Sequence, residues 1–379
     1  MNHTSADKKL FINTGLLFYI FASFFFSLKT YGQPQLPGKK ETAFIDSIVT
    51  DYMTRNKVPG VSVAVVKSQH IVIEKGYGMA NLEHFVPVTP STVFRLASVS
   101  KPITAVAVMQ LVEKGKLALD SPIQKYVPSF PLKRFPVTTR QLLSHLSGIR
   151  HYKGDEFSLN KRYKSLTEAL DIFKADTLLH KPGDEQTYST YGYTVLGVII
   201  ESISGLSFMD YLKQNIFLPA GMTQTYQDDP LQLIPGRSSN YDTIMRGIVR
   251  NSAFVNTSYK IPGGGLLSTV GDMSKFLIAL QNGKLINLKT WQLMTTEVKT
   301  SKGTPTHYGL GWILGIPPFE GLPHLPNAVW HGGVQQGSTT AILILPDKNF
   351  AVVILSNLGE LGNDITSAIA RITSYLTSN

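Results

Sequence analysis

The sequence Ser98-Val99-Ser100-Lys101-Pro102 leads directly into the apolar run 103–112, and this junction indicates both the fold and the chemistry. The run is too long and too rich in alanine for a strand, and it is apolar on most sides, which predicts a buried helix. Pro102 fits the first turn of such a helix, and Gly115 is a suitable stop. We therefore predict a core helix that begins beside Ser98.

Ser98 and Lys101 have the spacing S-x-x-K, which places a hydroxyl and an amine one helical turn apart on the same face. A serine is a poor nucleophile until a neighbouring base takes its proton, and a lysine held neutral can do so. The start of a helix stabilises developing negative charge and disfavours a lysine cation. A second copy, Ser158 to Lys161, has no apolar helix behind it and is interpreted as a cap with a solvated lysine.

The composition excludes several classes of protein. The 379 residues suffice for a large core, and the absence of cysteine excludes disulfides, thiol catalysis, thiolate metal sites and a lipid anchor through cysteine. The net charge of +10 is scattered without a basic stripe between aromatics, so a nucleic-acid partner is not expected. The nine histidines are dispersed and form no H-E-x-x-H motif, so we predict neither a metal nor a cofactor.

The first residues have the pattern of a targeting segment. Lys8 and Lys9 precede the apolar run 11–28, which ends at Thr30-Tyr31-Gly32. This order predicts a signal peptide at 1–32, a linker at 33–40 and an exported domain at 41–379, periplasmic or secreted from a bacterium. The alternative is an uncleaved anchor through 11–28, so membrane contact is expected only through this segment.

Two hairpin patterns lie at opposite ends of the remaining chain. Strands are predicted at 61–66 and 71–76 after a helix at 41–57, and again at 339–345 and 350–355 before a helix at 364–376. This arrangement predicts an α/β (α+β) fold in which one antiparallel sheet is built from both termini and flanked by helices. A mainly helical region, about 96–264, is inserted between the sheet parts, about 41–95 and 265–379. Long loops are expected at 231–262 and 296–326.

Two further segments supply candidate partners for Ser98. Tyr188 lies in a loop before an apolar helix predicted at 194–203, where the phenol either points into a cleft or packs in the core. His331-Gly332-Gly333 precedes the predicted strand at 339, and its paired glycines either allow close approach of another molecule or form a bulge.

Taken together, three motifs resemble those of a known family and occur in its order. Ser98-Val99-Ser100-Lys101, Tyr188-Ser189-Thr190 and His331-Gly332-Gly333 are similar to the motifs of the penicillin-recognising serine hydrolases, which include class C beta-lactamases, D-alanyl-D-alanine peptidases and related esterases. The resemblance extends from about Val58 to the end, and the flanks at 137–152 and 188–194 are particularly similar to the mitochondrial serine beta-lactamase-like branch. It implies a beta-lactamase/transpeptidase-like fold.

The resemblance also implies roles for individual residues. Ser98 would be the nucleophile, Lys101 the amine that activates it, and Tyr188 the second proton carrier, acting as base or relay. Lys101 and Tyr188 are assigned as a coupled pair, and either could be the base of the acylation step. The backbone N–H groups of Ser98 and Val334 would form the oxyanion hole.

The resemblance implies four substrate-binding residues, which are Thr190, His331, Gly332 and Gly333. Two of them depart from the family pattern. Thr190 stands where asparagine is common, which argues against efficient turnover of beta-lactams. His331 stands where lysine is common, so the charge that faces a substrate carboxylate would depend on pH. We therefore expect the binding of carboxylate substrates to weaken as the pH rises through the pKa of this histidine.

These observations predict an exported serine hydrolase that forms an acyl-enzyme at Ser98 and cleaves an amide or ester bond. The favoured activity is that of a beta-lactamase-related enzyme or a D-Ala-type peptidase, and the expected substrate is a small molecule or a peptide, such as one derived from peptidoglycan. The alternatives are a small-ester esterase and a penicillin-binding sensor or scaffold without turnover. A Ser–His pair at His145 and Ser147 is less favoured, since this segment is typical of a helix end with Gly148 as the stop.

Overall fold

The first and last strands of the described chain lie side by side in one antiparallel sheet. The computed structural model describes residues 37–244, 247–316 and 323–378. Strand β1, Gly60–Lys67, pairs with the last strand, Phe350–Ser356, with Val63 opposite Ile354. The described residues belong to one compact unit. The predicted sheet from both termini is therefore confirmed.

The described strands fall into one large sheet and two small ones. They are β1 Gly60–Lys67, β2 His70–Asn81, β3 Val86–Pro87, β4 Phe94–Arg95, β5 Tyr226–Gln227, β6 Tyr241–Ile244, β7 Ile248–Asn251, β8 Leu266–Ser268, β9 Ile313–Ile316, β10 Leu325–Gln335, β11 Ser338–Leu345 and β12 Phe350–Ser356. The large sheet has the order β3-β2-β1-β12-β11-β10-β9, while β4-β8-β5 and β6-β7 form the small sheets.

The described helices surround the large sheet and fill the insertion. They are α1 Lys39–Asn56, α2 Ser100–Glu113, α3 Thr139–Leu143, α4 Leu166–Ala169, α5 Thr190–Ser204, α6 Phe208–Leu212, α7 Leu218–Ala220, α8 Ile261–Gly264, α9 Val270–Gln281, α10 Leu288–Met294 and α11 Gly362–Ser378. No single helix in the described ranges is long and apolar enough to cross a membrane, although α5 and the stretch Phe208–Ala220, bent by 76°, reach that length and composition together.

Both faces of the central strands are buried, which explains their continuous apolar sequence. Successive side chains of a strand point to opposite faces. Val61, Val63 and Val65 of β1 pack into the core beneath α1 and α11, whereas Ala64 and Val66 pack into the larger core on the other face. This larger core contains α2 and α5, so the sheet rigidly supports the segments that carry the sequence motifs.

The structure also corrects several expectations. Helix α1 begins at Lys39, so the last two residues of the predicted linker 33–40 are helical, while the predicted signal peptide lies outside the described residues. Strands β6 and β7 lie within a predicted loop and within the range expected to be helical, and β9 lies in the other predicted loop. His331-Gly332-Gly333 precedes β11 as expected, but it lies inside a strand of its own, β10. This strand was not predicted because glycines weaken the strand pattern of the sequence.

Candidate active site

Ser98 lies in a tight turn that joins the small sheet to α2. The turn is a single 3₁₀ segment, Ala97–Val99, directly before α2. Ala97 has φ of 47°, in the left-handed region that residues other than glycine rarely adopt. The turn is fastened by the Ser100 hydroxyl, which donates to the Ala97 carbonyl at 2.8 Å, and by Thr340, which donates to the Leu96 carbonyl at 2.7 Å. Ser98 is thus held half-buried at the start of a core helix, as the sequence predicts.

Lys101 is completely buried one turn further along, at 0% exposure. Its Nζ lies 3.1 Å from Ser98 Oγ, 3.1 Å from Thr190 Oγ1 and 2.7 Å from the Gly263 carbonyl oxygen. Burial lowers the pKa of Lys101 well below its usual value, and the charge of Lys260 lowers it further. Both effects favour the neutral form of the amine.

The contacts of Lys101 suit a general base. A neutral amine has two N–H groups and one lone pair, and the Gly263 carbonyl can only accept. The Thr190 hydroxyl accepts a second N–H at 3.1 Å. When these two contacts take both N–H groups, the lone pair of a neutral Lys101 is left for the Ser98 hydroxyl, which is the arrangement required of a general base.

Tyr188 lies directly above Lys101. Ser189 caps α5 by accepting the Gly192 N–H at 3.1 Å, so the helix begins at Thr190, four residues earlier than predicted, and Tyr188 immediately precedes the cap. The Tyr188 ring is 4.7 Å from Lys101 Nζ and 36% of the residue is exposed. Burial raises the pKa of the Tyr188 hydroxyl, and a hydrogen bond with Ser98 opposes this rise. At neutral pH this group is a phenol that can donate a proton.

The structure places Thr190, which the resemblance assigns to substrate binding, in contact with Lys101. It is 2% exposed, its hydroxyl is used by Lys101, and its backbone N–H donates to His151 Nδ1 at 3.3 Å. Its methyl group also faces Gly263, where an added Cβ would come within 2.6 Å of Thr190 Cγ2. Thr190 is therefore a residue that positions Lys101, and Gly263 is a glycine because the two segments approach so closely.

Strand β10 runs past the Ser98 turn. A Cβ at Gly333 would lie 3.0 Å from Ser98 N and 2.5 Å from the Leu96 carbonyl oxygen, so this glycine permits close approach to the chain's own backbone. Strand β9 pairs with β10 only as far as Trp330. Among the described strands, none pairs with this edge of β10 from residue 331 onward. The predicted oxyanion-hole residue Val334 lies in this part of β10, half-buried and opposite Thr339 of β11. Gly332 is half-buried at the same edge.

His331 is placed differently from the sequence expectation. It is 1% exposed, Nε2 lies 2.9 Å from the Tyr308 hydroxyl oxygen, and Nδ1 donates to the Gly332 carbonyl at 2.6 Å. Burial lowers the pKa of His331 to about 3, helped by the charge of Lys101. Both ring nitrogens are thus occupied and the ring is neutral. The expected pH-dependent cation for a substrate carboxylate is not provided by this residue.

Two residues of the site were not assigned to it from the sequence. His145 Nδ1 accepts the Ser189 N–H at 3.1 Å, and its ring packs on the Tyr188 ring with centroids 4.3 Å apart. Tyr308 lies between the rings of His145 and His331. Helix α3 ends at Leu143, and His145 has φ of 61°, so the chain turns well before the predicted stop at Gly148. Ser147 Oγ accepts the Ile149 N–H instead, consistent with the rejection of a Ser–His pair.

A second buried lysine lies behind the site. Lys260 is 1% exposed, and its Nζ is surrounded by the rings of Phe157, Tyr259 and Tyr152 at 4.8, 5.2 and 5.3 Å from their centroids. Its hydrogen bond to the Phe157 carbonyl is 3.3 Å long. Burial lowers the pKa of Lys260 to about 7, Arg95 adds to this effect, and Asp228 opposes it.

The second S-x-x-K copy has no comparable surroundings. Ser158 Oγ accepts from Gln336 Nε2 at 2.7 Å. The Lys161 side chain is 61% exposed and lies 3.6 Å from Glu168. The structure therefore agrees with the interpretation of this copy as a local, solvated feature.

Comparison with known proteins agrees with this geometry. The beta-lactamase family matches residues 45–376. The chain is 35% identical to the mitochondrial serine beta-lactamase-like protein LACTB of Homo sapiens, over 76% of this chain and 69% of the relative, and 30% identical to penicillin-binding protein 4* of Bacillus subtilis strain 168, over 79% and 68%. The octameric penicillin-binding protein homologue from Pyrococcus abyssi superposes with a TM-score of 0.76 at 29% identity, covering 89% of this chain and 78% of that one. The chain therefore belongs to the beta-lactamase family of penicillin-recognising serine hydrolases.

Proposed function

We propose that this chain is a hydrolase that forms an acyl-enzyme at Ser98 and cleaves an amide or ester bond of a small molecule or peptide. The observation that carries the proposal is the buried Lys101 amine, whose Nζ lies 3.1 Å from Ser98 Oγ. A buried amine of lowered pKa beside a hydroxyl is the pairing that nucleophilic catalysis requires.

The contacts give each proton a path. Lys101 accepts the Ser98 proton while Oγ attacks the carbonyl carbon, and the ammonium formed faces the rings of Tyr188 and Tyr193 at 4.7 and 5.5 Å. The oxyanion binds the backbone N–H groups of Ser98 and Val334. The Tyr188 phenol donates its proton to the leaving group and is reprotonated from Lys101. Water then attacks the acyl group by the reverse of these transfers, which frees Ser98 and releases the acid.

Export is part of the proposal and depends on the sequence of 1–32. Relatives in the same family include a bacterial penicillin-binding protein and a mitochondrial protein, so an exported bacterial location is compatible with the family. A peptidoglycan-derived substrate would fit that location.

Intact-protein mass spectrometry tests the nucleophile. The wild-type chain should gain the mass of a fluorophosphonate probe once, at Ser98, and Ser98→Ala should not react. Ser158→Ala is the matched control, because it alters the serine of the other S-x-x-K copy and should react like wild type. Labelling of Ser98→Ala would contradict the proposal.

A time course with benzylpenicillin separates turnover from trapping. A hydrolase releases the acyl group, so any adduct at Ser98 should decay as free penicilloate accumulates. A permanent adduct would contradict hydrolysis and favour a sensor.

A further inference from the structure

A continuous series of hydrogen bonds runs behind the reacting groups. The Ser189 N–H can only donate, so His145 Nδ1 accepts it and the proton of this ring is on Nε2. That Nε2–H faces the Tyr308 oxygen at 3.3 Å, Tyr308 donates to His331 Nε2 at 2.9 Å, and His331 Nδ1–H donates to the Gly332 carbonyl at 2.6 Å. Every donor meets an acceptor when both histidines are neutral.

The groups packed around His331 reinforce its neutral form. It faces Tyr308 from the segment before β9, Lys101 from α2, and the ring of Tyr188 with centroids 6.5 Å apart. Tyr193 of α5 lies beside Tyr308 and donates to the Leu143 carbonyl at 3.0 Å. The tyrosines are uncharged, since burial raises the pKa of each, so none of them offers an anion that would stabilise an imidazolium.

The other basic groups near Ser98 are neutral, enclosed or paired. Burial, with Lys101 and Lys260, lowers the pKa of His151 to about 4. The Lys260 amine is enclosed by three aromatic rings and is not accessible from the cleft. Arg95 Nε is paired with Asp228 at 2.8 Å in a contact where both side chains are largely buried.

A substrate carboxylate in these surroundings would be disfavoured for two reasons. It would lose water without gaining a cation among the described groups around Ser98. It would also stabilise the ammonium form of Lys101, and thereby remove the base that Ser98 needs.

We propose that this site takes acyl donors without a carboxylate next to the scissile bond, namely neutral esters and internal amides, because the buried His331 ring, bonded at both nitrogens, offers no cation there. The proposal deepens the acyl-enzyme function proposed above and depends on it.

Two aryl esters that differ by one carboxylate test the preference. Phenyl acetate and 3-acetoxybenzoate transfer the same acetyl group, and only the second carries a charge on its leaving group. The kcat/KM of phenyl acetate should be at least about tenfold higher, mainly through a lower KM. Equal or faster turnover of 3-acetoxybenzoate would overturn the inference. Absence of acetylated Ser98 with both esters would instead overturn the acyl-enzyme function.

Discussion

The buried Lys260 gives a prediction in which stability and pH are linked quantitatively. Its pKa is lowered from 10.5 to about 7 in the folded chain. Between these values the unfolded chain binds a proton that the folded chain does not, so the free energy of unfolding rises with pH by up to about 1.4 kcal/mol per pH unit. From pH 7 to pH 9, where the folded group goes from half to almost fully deprotonated, the rise amounts to about 2 kcal/mol.

The substitution Lys260→Met removes this contribution and keeps a long apolar side chain against the rings of Tyr152, Phe157 and Tyr259. The free energy of unfolding of the variant minus that of wild type should therefore be about 2 kcal/mol larger at pH 7 than at pH 9. The sign follows because wild type gains stability over this interval through Lys260 and the variant does not. Urea unfolding at both pH values measures the difference.

Lys116→Met is the control, since Lys116 is exposed and outside the site. Its stability relative to wild type should be the same at both pH values. If the stability of Lys260→Met relative to wild type is also the same at both pH values, within about 0.5 kcal/mol, the reasoning is refuted. A catalytic readout accompanies it: because the charge of Lys260 lowers the pKa of Lys101, the acid limb of kcat/KM should move to higher pH in Lys260→Met.

Three further substitutions follow from single contacts. Thr190→Val leaves a buried N–H of Lys101 without an acceptor, so kcat should fall about 10- to 100-fold in steady-state assays of a nitrophenyl ester, and an unchanged kcat would contradict the positioning role. Gly333→Ala places a Cβ 2.5 Å from the Leu96 carbonyl oxygen, and thermal unfolding should show a loss of at least about 1 kcal/mol together with reduced turnover. Asp228→Asn leaves the buried Arg95 charge unpaired and should cost about 3–5 kcal/mol in urea unfolding.

The fold was largely predictable because both of its main signals are local. The apolar run after Ser98 is a buried helix, and the terminal hairpins pair as expected, since continuous apolar strands require cover on both faces. Strand β10 was not predicted, because His331-Gly332-Gly333 has neither the alternation nor the branched side chains of a strand. Its sheet position is set by pairing with β11, which is a long-range contact.

Within the candidate site, the sequence pattern located the groups better than it assigned their partners. The proximity of Ser98 to Lys101 follows from helical spacing, but the engagement of Thr190 by Lys101 depends on how α5 packs against α2. His145 and Tyr308 carry no motif of their own. The Gly263 carbonyl that accepts from Lys101 lies in the glycine run at 263–265. Such a run indicates that the backbone closely approaches another group, but it does not identify that group.

The charge state of His331 shows why motif position alone does not define a role. A histidine at a position where lysine is common suggests a weaker, titratable cation. The His331 ring, however, is 1% exposed and hydrogen-bonded at both nitrogens, and it is neutral. The same surroundings that suppress this cation also suppress the charge of Lys101, because burial acts on every amine and imidazole in the site. A site that keeps its base neutral by excluding water therefore has no accessible cation for an anionic substrate, so its base strength and its preference for neutral acyl donors have one physical cause.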